Sequence, residues 1–233
     1  MMIIGLKDVW KTYSTGKVQF DALKGINLEL RRGDFAAVAG PSGSGKTTIM
    51  NIIGLIDKPS RGMLTIDGRE TGALNRNELT RMRHEVIGFI FQSFNLLPVL
   101  SVFENVELPL LIGKKNPAVL SKKQRKERVE GLLEEVGLAE KRSNLPAELS
   151  GGQQQRVAVA RALVNDPKIV IADEPTANLD SENGSRVLNL MKKVNAESDT
   201  TFIFSTHDKT IWEMANRIIF LHDGKIAEEA ARA

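Results

Sequence analysis

The chain has 233 residues, 42% hydrophobic and 26% charged, the balance of a globular fold with a substantial core. No apolar stretch reaches the roughly 18 to 20 residues that cross a bilayer, and residues 1–11 lack the layout of a secretory signal. A cytosolic chain is therefore expected, any membrane role coming from a partner. The absence of cysteine excludes disulfides, thiol catalysis and cysteine–zinc sites, and a net charge of +3 is too slight to point to nucleic acid.

Residues 2–30 read as strands, with apolar runs at 3–9 and 22–30 about a turn-rich 14–17. Arg32, Gly33 and Asp34 then turn the chain into the apolar strand 35–39, and GPSGSGKTT follows at 40–48, before the apolar-periodic 49–53. Strand, glycine-rich turn and helix start are the context that the phosphate-loop pattern G-x-x-x-x-G-K-[ST] requires. Gly40, Gly43 and Gly45 permit backbone conformations closed to other residues, so that successive N–H groups face inward. With the positive end of the following helix they form an anion cradle of phosphate size. Lys46 supplies a point charge for the terminal phosphates, and the Thr47 hydroxyl is placed to ligate magnesium. The implied ligand is a nucleoside triphosphate, held by Gly40, Pro41, Ser42, Gly43, Ser44, Gly45, Lys46, Thr47 and Thr48.

Further on, residues 63–66 and the turn Asp67-Gly68 look like a hairpin arm, which with the early strands makes an antiparallel layer. A short helix is expected at 77–85 and a buried strand at 87–91, ending at Gln92. From 93 to 164 helical periodicity dominates, with helices near 101–112, 121–136 and 151–164 punctuated by Pro98, Pro109, Pro117 and Pro146. Basic residues crowd there (Lys114, Lys115, Lys122, Lys123, Arg125, Lys126, Arg128). The interleaved or following Glu127, Glu130, Glu134 and Glu135 favour a solvated helix over an anionic-lipid or nucleic-acid patch. After Pro167 strands (168–172, 200–206, 217–221) alternate with helices (181–195, 210–215). The expectation is an α/β fold: a P-loop NTPase core with a mainly parallel sheet, an antiparallel β subdomain and an inserted α-helical subdomain. The core takes residues 1–92 and 165–233, the insertion 93–164.

Residues 169–174 form an apolar strand ending in two carboxylates. Ligands of open α/β sheets sit at the carboxyl ends of strands, so Asp173 is positioned for magnesium and Glu174 to deprotonate an attacking water. His207 ends another strand, whereas His84 and His222, in polar contexts, read as surface residues. Leu149-Ser150-Gly151-Gly152-Gln153 opens a helix that Ser150 can cap, with two glycines exposing its first N–H groups. On spacing alone this is either a second anion site or only a well-capped helix.

The phosphate loop, Gln92, residues 149–153 and 169–174, Asn178-Leu179-Asp180 and His207 occur together and in order, and this set resembles the nucleotide-binding subunit of ATP-binding cassette (ABC) transporters over essentially the whole chain. The resemblance implies ATP hydrolysis with Mg2+, Tyr13 stacking on the adenine ring, and Gln92 sensing the γ-phosphate and magnesium. It implies Glu174 as catalytic base, His207 against the γ-phosphate, and Asn178, Leu179 and Asp180 at a subunit interface. Ser150, Gly151, Gly152 and Gln153 of one subunit would close over ATP on the phosphate loop of the other, in a head-to-tail homodimer. The partner implied is an integral-membrane permease, which places the chain in the cytoplasm, peripheral on the inner face of the membrane. Residues 87–112 resemble the subfamily that powers lipoprotein release and macrolide-type efflux, with a permease groove near 92–100. Competing readings are a soluble repair or translation ATPase of the same superfamily, or a partner of a permease-like cell-division regulator.

Overall fold

In a computed structural model, which describes residues 1–16, 18–112 and 120–231, the chain begins with a long hairpin. Lys114, Lys115 and Pro117 lie outside the described residues. The hairpin strands β1 (Met2–Thr15) and β2 (Val18–Arg31) run closer to the turn than the apolar runs suggested, and pair Tyr13 with Phe20. β3 (Phe35–Ala39) is buried throughout and feeds the phosphate loop and α1 (Lys46–Ile53). β4 (Arg61–Ile66) and β5 (Arg69–Glu70) join the hairpin in a four-stranded antiparallel sheet, order β2-β1-β4-β5. α2 (Arg76–Val86) starts at a reciprocal cap between Asn75 and Glu78 and leads into β6 (Ile87–Ile90).

Among the described residues three α-helices then intervene before β7 (Ile169–Asp173), with two single-turn 3-10 helices between the last two: α3 (Val102–Ile112), α4 (Lys122–Glu135) and α5 (Gly151–Leu163). α6 (Ser181–Ser198), β8 (Thr201–Ser205), α7 (Lys209–Met214), β9 (Arg217–His222) and β10 (Lys225–Ala231) complete the chain. The second sheet has the order β10-β9-β3-β8-β7-β6. All its pairings are parallel except the last strand, β10, which lies antiparallel on β9. β10 carries mostly exposed polar and small residues, as an edge strand does, and so has no apolar run to announce it.

Side chains alternate across a strand, and β3 serves two cores on that principle. Phe35, Ala37 and Ala39 face one cluster, with Phe202, Phe204 and residues of α3 to α6; Ala36 and Val38 face another, with α1, α2 and the antiparallel sheet. Phe35, Phe202 and Phe204 are fully buried, with the Phe35 centroid 4.6 Å from Phe204 and 5.7 Å from Phe202. Truncating any one to alanine costs about 3 to 5 kcal/mol. His84 is not the surface residue its context implied. It is half-buried, with Nε2 2.9 Å from the carbonyl of Pro109 inside α3. Among the described residues no helix is long and apolar enough to cross a membrane.

Candidate active site

The parallel strands β3, β8, β7 and β6 are neighbours in that order. Their carboxyl ends deliver, side by side, the phosphate loop, Thr206 and His207, Asp173 and Glu174, and Gln92. At about 4.8 Å per strand, the acidic pair lies about 10 Å from the phosphate-loop strand, which leaves room for a phosphate chain between them.

In the loop, Gly40, Gly43 and Gly45 take φ of 145°, 78° and 106°. Gly45 is required twice over: its φ is closed to L side chains, and a Cβ there would stand 2.8 Å from the carbonyl oxygen of Ala22 in β2. Lys46 lies across the loop, Nζ donating to the carbonyls of Gly40 (2.7 Å) and Pro41 (2.9 Å). Beside it opens a cavity of about 430 Å³, lined by Tyr13, Phe20, Lys24, Ser42, Lys46 and Thr47 among others. Tyr13 is tethered there, its hydroxyl donating to Asp57 (2.9 Å), which also accepts from Lys11 Nζ (2.6 Å). Burial, and then the bond to Asp57, pushes the Tyr13 phenol above its ordinary value. For Asp57 burial acts in the same upward direction, but the hydrogen bonds from Lys11, Tyr13 and the Lys58 N–H together hold its carboxyl below the ordinary value.

Glu174 turns out of β7 with φ of 44°, a left-handed conformation costing on the order of 1 kcal/mol for a residue with a side chain. The turn brings its N–H to the carbonyl of Ser205 (2.9 Å) and its carboxylate over the end of β8. Oε1 meets His207 Nδ1 at 2.7 Å, and Oε2 accepts from the Thr206 hydroxyl at 3.1 Å. Thr206 Oγ1 in turn accepts from the Asp208 N–H (3.0 Å), and Asp208 accepts from the Thr176 hydroxyl (3.0 Å). One residue of the site is thus held by a buried threonine, just past the end of β8, which in sequence reads as part of an apolar strand and is not singled out.

The backbone of Gln92 accepts from the Asn178 side chain at 2.8 Å. Two residues on, Phe94 and Asn95 both have positive φ (58° and 50°). Their carbonyls accept from the guanidinium of Arg161 in α5, at 2.7 and 2.5 Å. Burial holds that guanidinium below its ordinary value. Fully buried Asn105 of α3 secures the next stretch, its amide donating to the carbonyls of Leu97, Leu100 and Ser101 and accepting from the Leu97 N–H. The segment after Gln92 is therefore tied to the helical insertion by hydrogen bonds.

Ser150 caps α5, accepting from the Gln153 N–H (3.4 Å), while Gln153 Oε1 accepts from the Ser150 N–H (2.9 Å). The second glycine does not open the helix end to solvent as the spacing suggested. Gly152 is buried, and a Cβ on it would sit 2.7 Å from the Asn183 amide of α6. The three residues expected at a subunit interface all have tasks within the chain: Asn178 on Gln92, Leu179 against the core, and Asp180 capping α6 through the Asn183 N–H (2.9 Å). That backbone hydrogen bond holds the Asp180 carboxyl below its ordinary value.

No group of three or more His, Asp and Glu side chains among the described residues forms a metal cage. Thr47, Gln92 and Asp173 offer a hydroxyl, an amide carbonyl and a carboxylate. Such a sparse, all-oxygen set suits magnesium, which keeps waters and substrate phosphates as its other ligands.

A parallel sheet with a phosphate loop, acidic and histidine strand ends beside it and a helical insertion opening at a serine-capped helix defines a nucleotide-binding cassette. The chain belongs to the ABC transporter family, whose pattern its residues 23–177 match. It is 47% identical over 228 residues to an ABC transporter ATP-binding protein of Methanocaldococcus jannaschii, covering 97% of this chain and 96% of that one. It is 46% identical to a lipoprotein-releasing system ATP-binding protein, LolD 1, of Rhodopseudomonas palustris, over 97% and 98% of the two chains. A macrolide export ATP-binding/permease protein, MacB, of Bdellovibrio bacteriovorus is 45% identical across 97% of this chain, which spans only 34% of that longer protein. Among solved structures, a dimeric post-hydrolysis ATP-binding cassette bound to ADP and Pi superposes with a TM-score of 0.90 at 44% identity, over 99% of both chains.

Proposed function

We propose that this chain is the ATP-binding and ATP-hydrolysing subunit of a transporter, pairing with a second copy around two ATP molecules to drive an integral-membrane permease. The observation that carries the reading is the carboxylate of Glu174, clamped by Thr206 and His207 two strands from the phosphate loop. A base so fixed, facing the end of a phosphate chain, takes the proton of an attacking water. Lys46 and the N–H groups of residues 42–48 bind the β- and γ-phosphates, and Tyr13 carries the adenine. His207 orients the γ-phosphate through its second ring nitrogen. Thr47, Gln92 and Asp173 would hold magnesium, which neutralises phosphate charge when bound.

Gly151 sits close to Phe94, Asn178 and Leu179 of its own chain and Gly152 close to Asn183, and none of residues 150–153 lines the nucleotide cavity. That separation favours their use in trans, where Ser150, Gly151, Gly152 and Gln153 of one copy cover ATP on the other, with Asn178, Leu179 and Asp180 beside the seam. Relatives named for lipoprotein release and macrolide export favour a permease of that type, and with it a cytoplasmic position on the inner face of the membrane. The test is Glu174→Gln: it binds ATP, hydrolyses it at least about a hundredfold more slowly, and elutes as a dimer in ATP. Wild-type turnover by this variant would remove Glu174 from its role. Co-purification of a permease from gently solubilised membranes tests the coupling, and recovery from cytosol alone overturns it.

A further inference from the structure

Tyr13 and Phe20 are partners across the β1–β2 hairpin, and residues so paired project from the same face. Their ring centroids are 5.7 Å apart with the planes inclined at 38°. Both rings line the phosphate-loop cavity. Phe20 belongs to neither core cluster and is 52% exposed. Its surroundings are nevertheless firm: Tyr13 is tied to Asp57, and the neighbouring Asp21 accepts from the Thr12 hydroxyl at 2.7 Å. A phenyl ring held in water at the mouth of an anion cavity gains nothing from core packing, whereas it offers a flat apolar surface to a heteroaromatic base.

We infer that Phe20 is a second wall of the base site, so that the purine of a nucleoside triphosphate packs against Phe20 as well as Tyr13. This rests on the reading of the cavity as the ATP site. The phosphate loop grips the triphosphate whatever base it carries; the paired rings add affinity only where a base is present, and more for the larger purine. The sequence motif gives no hint of Phe20, because its position follows from the hairpin register and not from a spacing along the chain.

The experiment is equilibrium binding of ATP, CTP and inorganic tripolyphosphate to the full chain. The proteins compared are wild type, Phe20→Ala, Phe20→Leu, Phe20→Trp and Lys46→Ala. Phe20→Ala is expected to weaken ATP roughly five- to a hundredfold, the range of one lost base–aromatic stack, and CTP less, leaving tripolyphosphate unchanged. Phe20→Trp restores ATP affinity, and its added fluorescence responds to ATP but not to tripolyphosphate. Phe20→Leu, which keeps apolar bulk without the flat ring, carries the test if the alanine variant does not fold. Unchanged ATP affinity overturns the assignment, as does equal weakening of ATP and tripolyphosphate, which would make Phe20 a support of the loop. Wild type that binds neither ligand, with Lys46→Ala no different, overturns the nucleotide reading itself and this inference with it.

Discussion

Glu174, the base of the proposed reaction, illustrates how much of a side chain's position is set by its neighbours. The strand end supplies the residue and the strained φ aims it, but the hydrogen bonds from Thr206 and His207 choose one position for the carboxylate. Thr206→Val, nearly isosteric, removes the bond to Oε2, and with it the acceptor of the Asp208 N–H, without changing a residue of the phosphate loop. A hydrogen bond to a charged group contributes about 1.5 to 3 kcal/mol. The expected result is a loss of roughly ten- to a hundredfold in single-turnover hydrolysis with ATP affinity unchanged; a matching loss of affinity would mean that the strand end has shifted. Asp57 gives a prediction in pH. Its folded-state pKa lies below the ordinary value because Lys11, Tyr13 and the Lys58 N–H bond the charged form against the opposing effect of burial. Such a group contributes stability that is fully present above the unfolded pKa of about 3.9 and is lost as pH falls through the lower folded value. The stability gap between wild type and Asp57→Asn, measured by urea unfolding, should be level near neutrality and close in acid below about pH 4.

The elements meet where the sequence is least explicit. α5 and α6 approach so closely at their N-termini that a Cβ on Gly152 would sit 2.7 Å from the Asn183 amide, nearer than van der Waals contact allows. Gly152→Ala should therefore destabilise the fold by about 1 to 3 kcal/mol, the usual cost of overpacking. Asn183→Gly should recover most of that loss in the double variant, since the Asn183 Cβ would itself lie 2.9 Å from the new methyl, although it forfeits the bond from Asn183 Nδ2 to Asp180 (2.7 Å). Thermal unfolding of the four proteins in the cycle reads the coupling, and strictly additive losses would show that the two helices accommodate the methyl separately. The same contrast explains what was legible beforehand. The loop at 40–48, the carboxylates ending β7 and the cap at Ser150 are local patterns, each within a few residues of an apolar run. Arg161 on the Phe94 and Asn95 carbonyls, Asn178 on Gln92 and Asn105 on residues 97–101 join parts of the chain that only the fold brings together. β10 was invisible because an exposed edge strand has no need of an apolar run.

At the scale of the whole molecule, one fact constrains function more than any single contact. The phosphate loop and the capped N-terminus of α5 both present helix-start N–H groups, yet Gly151 and Gly152 lie against Phe94, Asn178, Leu179 and Asn183, and residues 150–153 take no part in the phosphate-loop cavity. A head-to-tail pair, symmetric about a two-fold axis, would bring each capped helix to the other copy's loop and make two equivalent composite sites. The consequence can be tested by complementation. Lys46→Ala breaks the loop of its own chain but keeps a sound helix N-terminus. Ser150→Arg does the reverse, putting a bulky cation where a phosphate would meet the helix. Each variant alone is expected to be inactive. In a mixed dimer the loop of the Ser150→Arg chain faces the helix of the Lys46→Ala chain, and that site is whole. If one whole site turns over independently, an equal mixture should regain about a quarter of the wild-type rate, since random pairing makes half the dimers mixed and each holds one sound site of two. Were the site complete within one chain, both chains would carry a defect and mixing would restore nothing. Recovery that rises with the mixed fraction, and vanishes when Lys46→Ala and Ser150→Arg are placed in the same chain, would establish that the nucleotide is shared between copies.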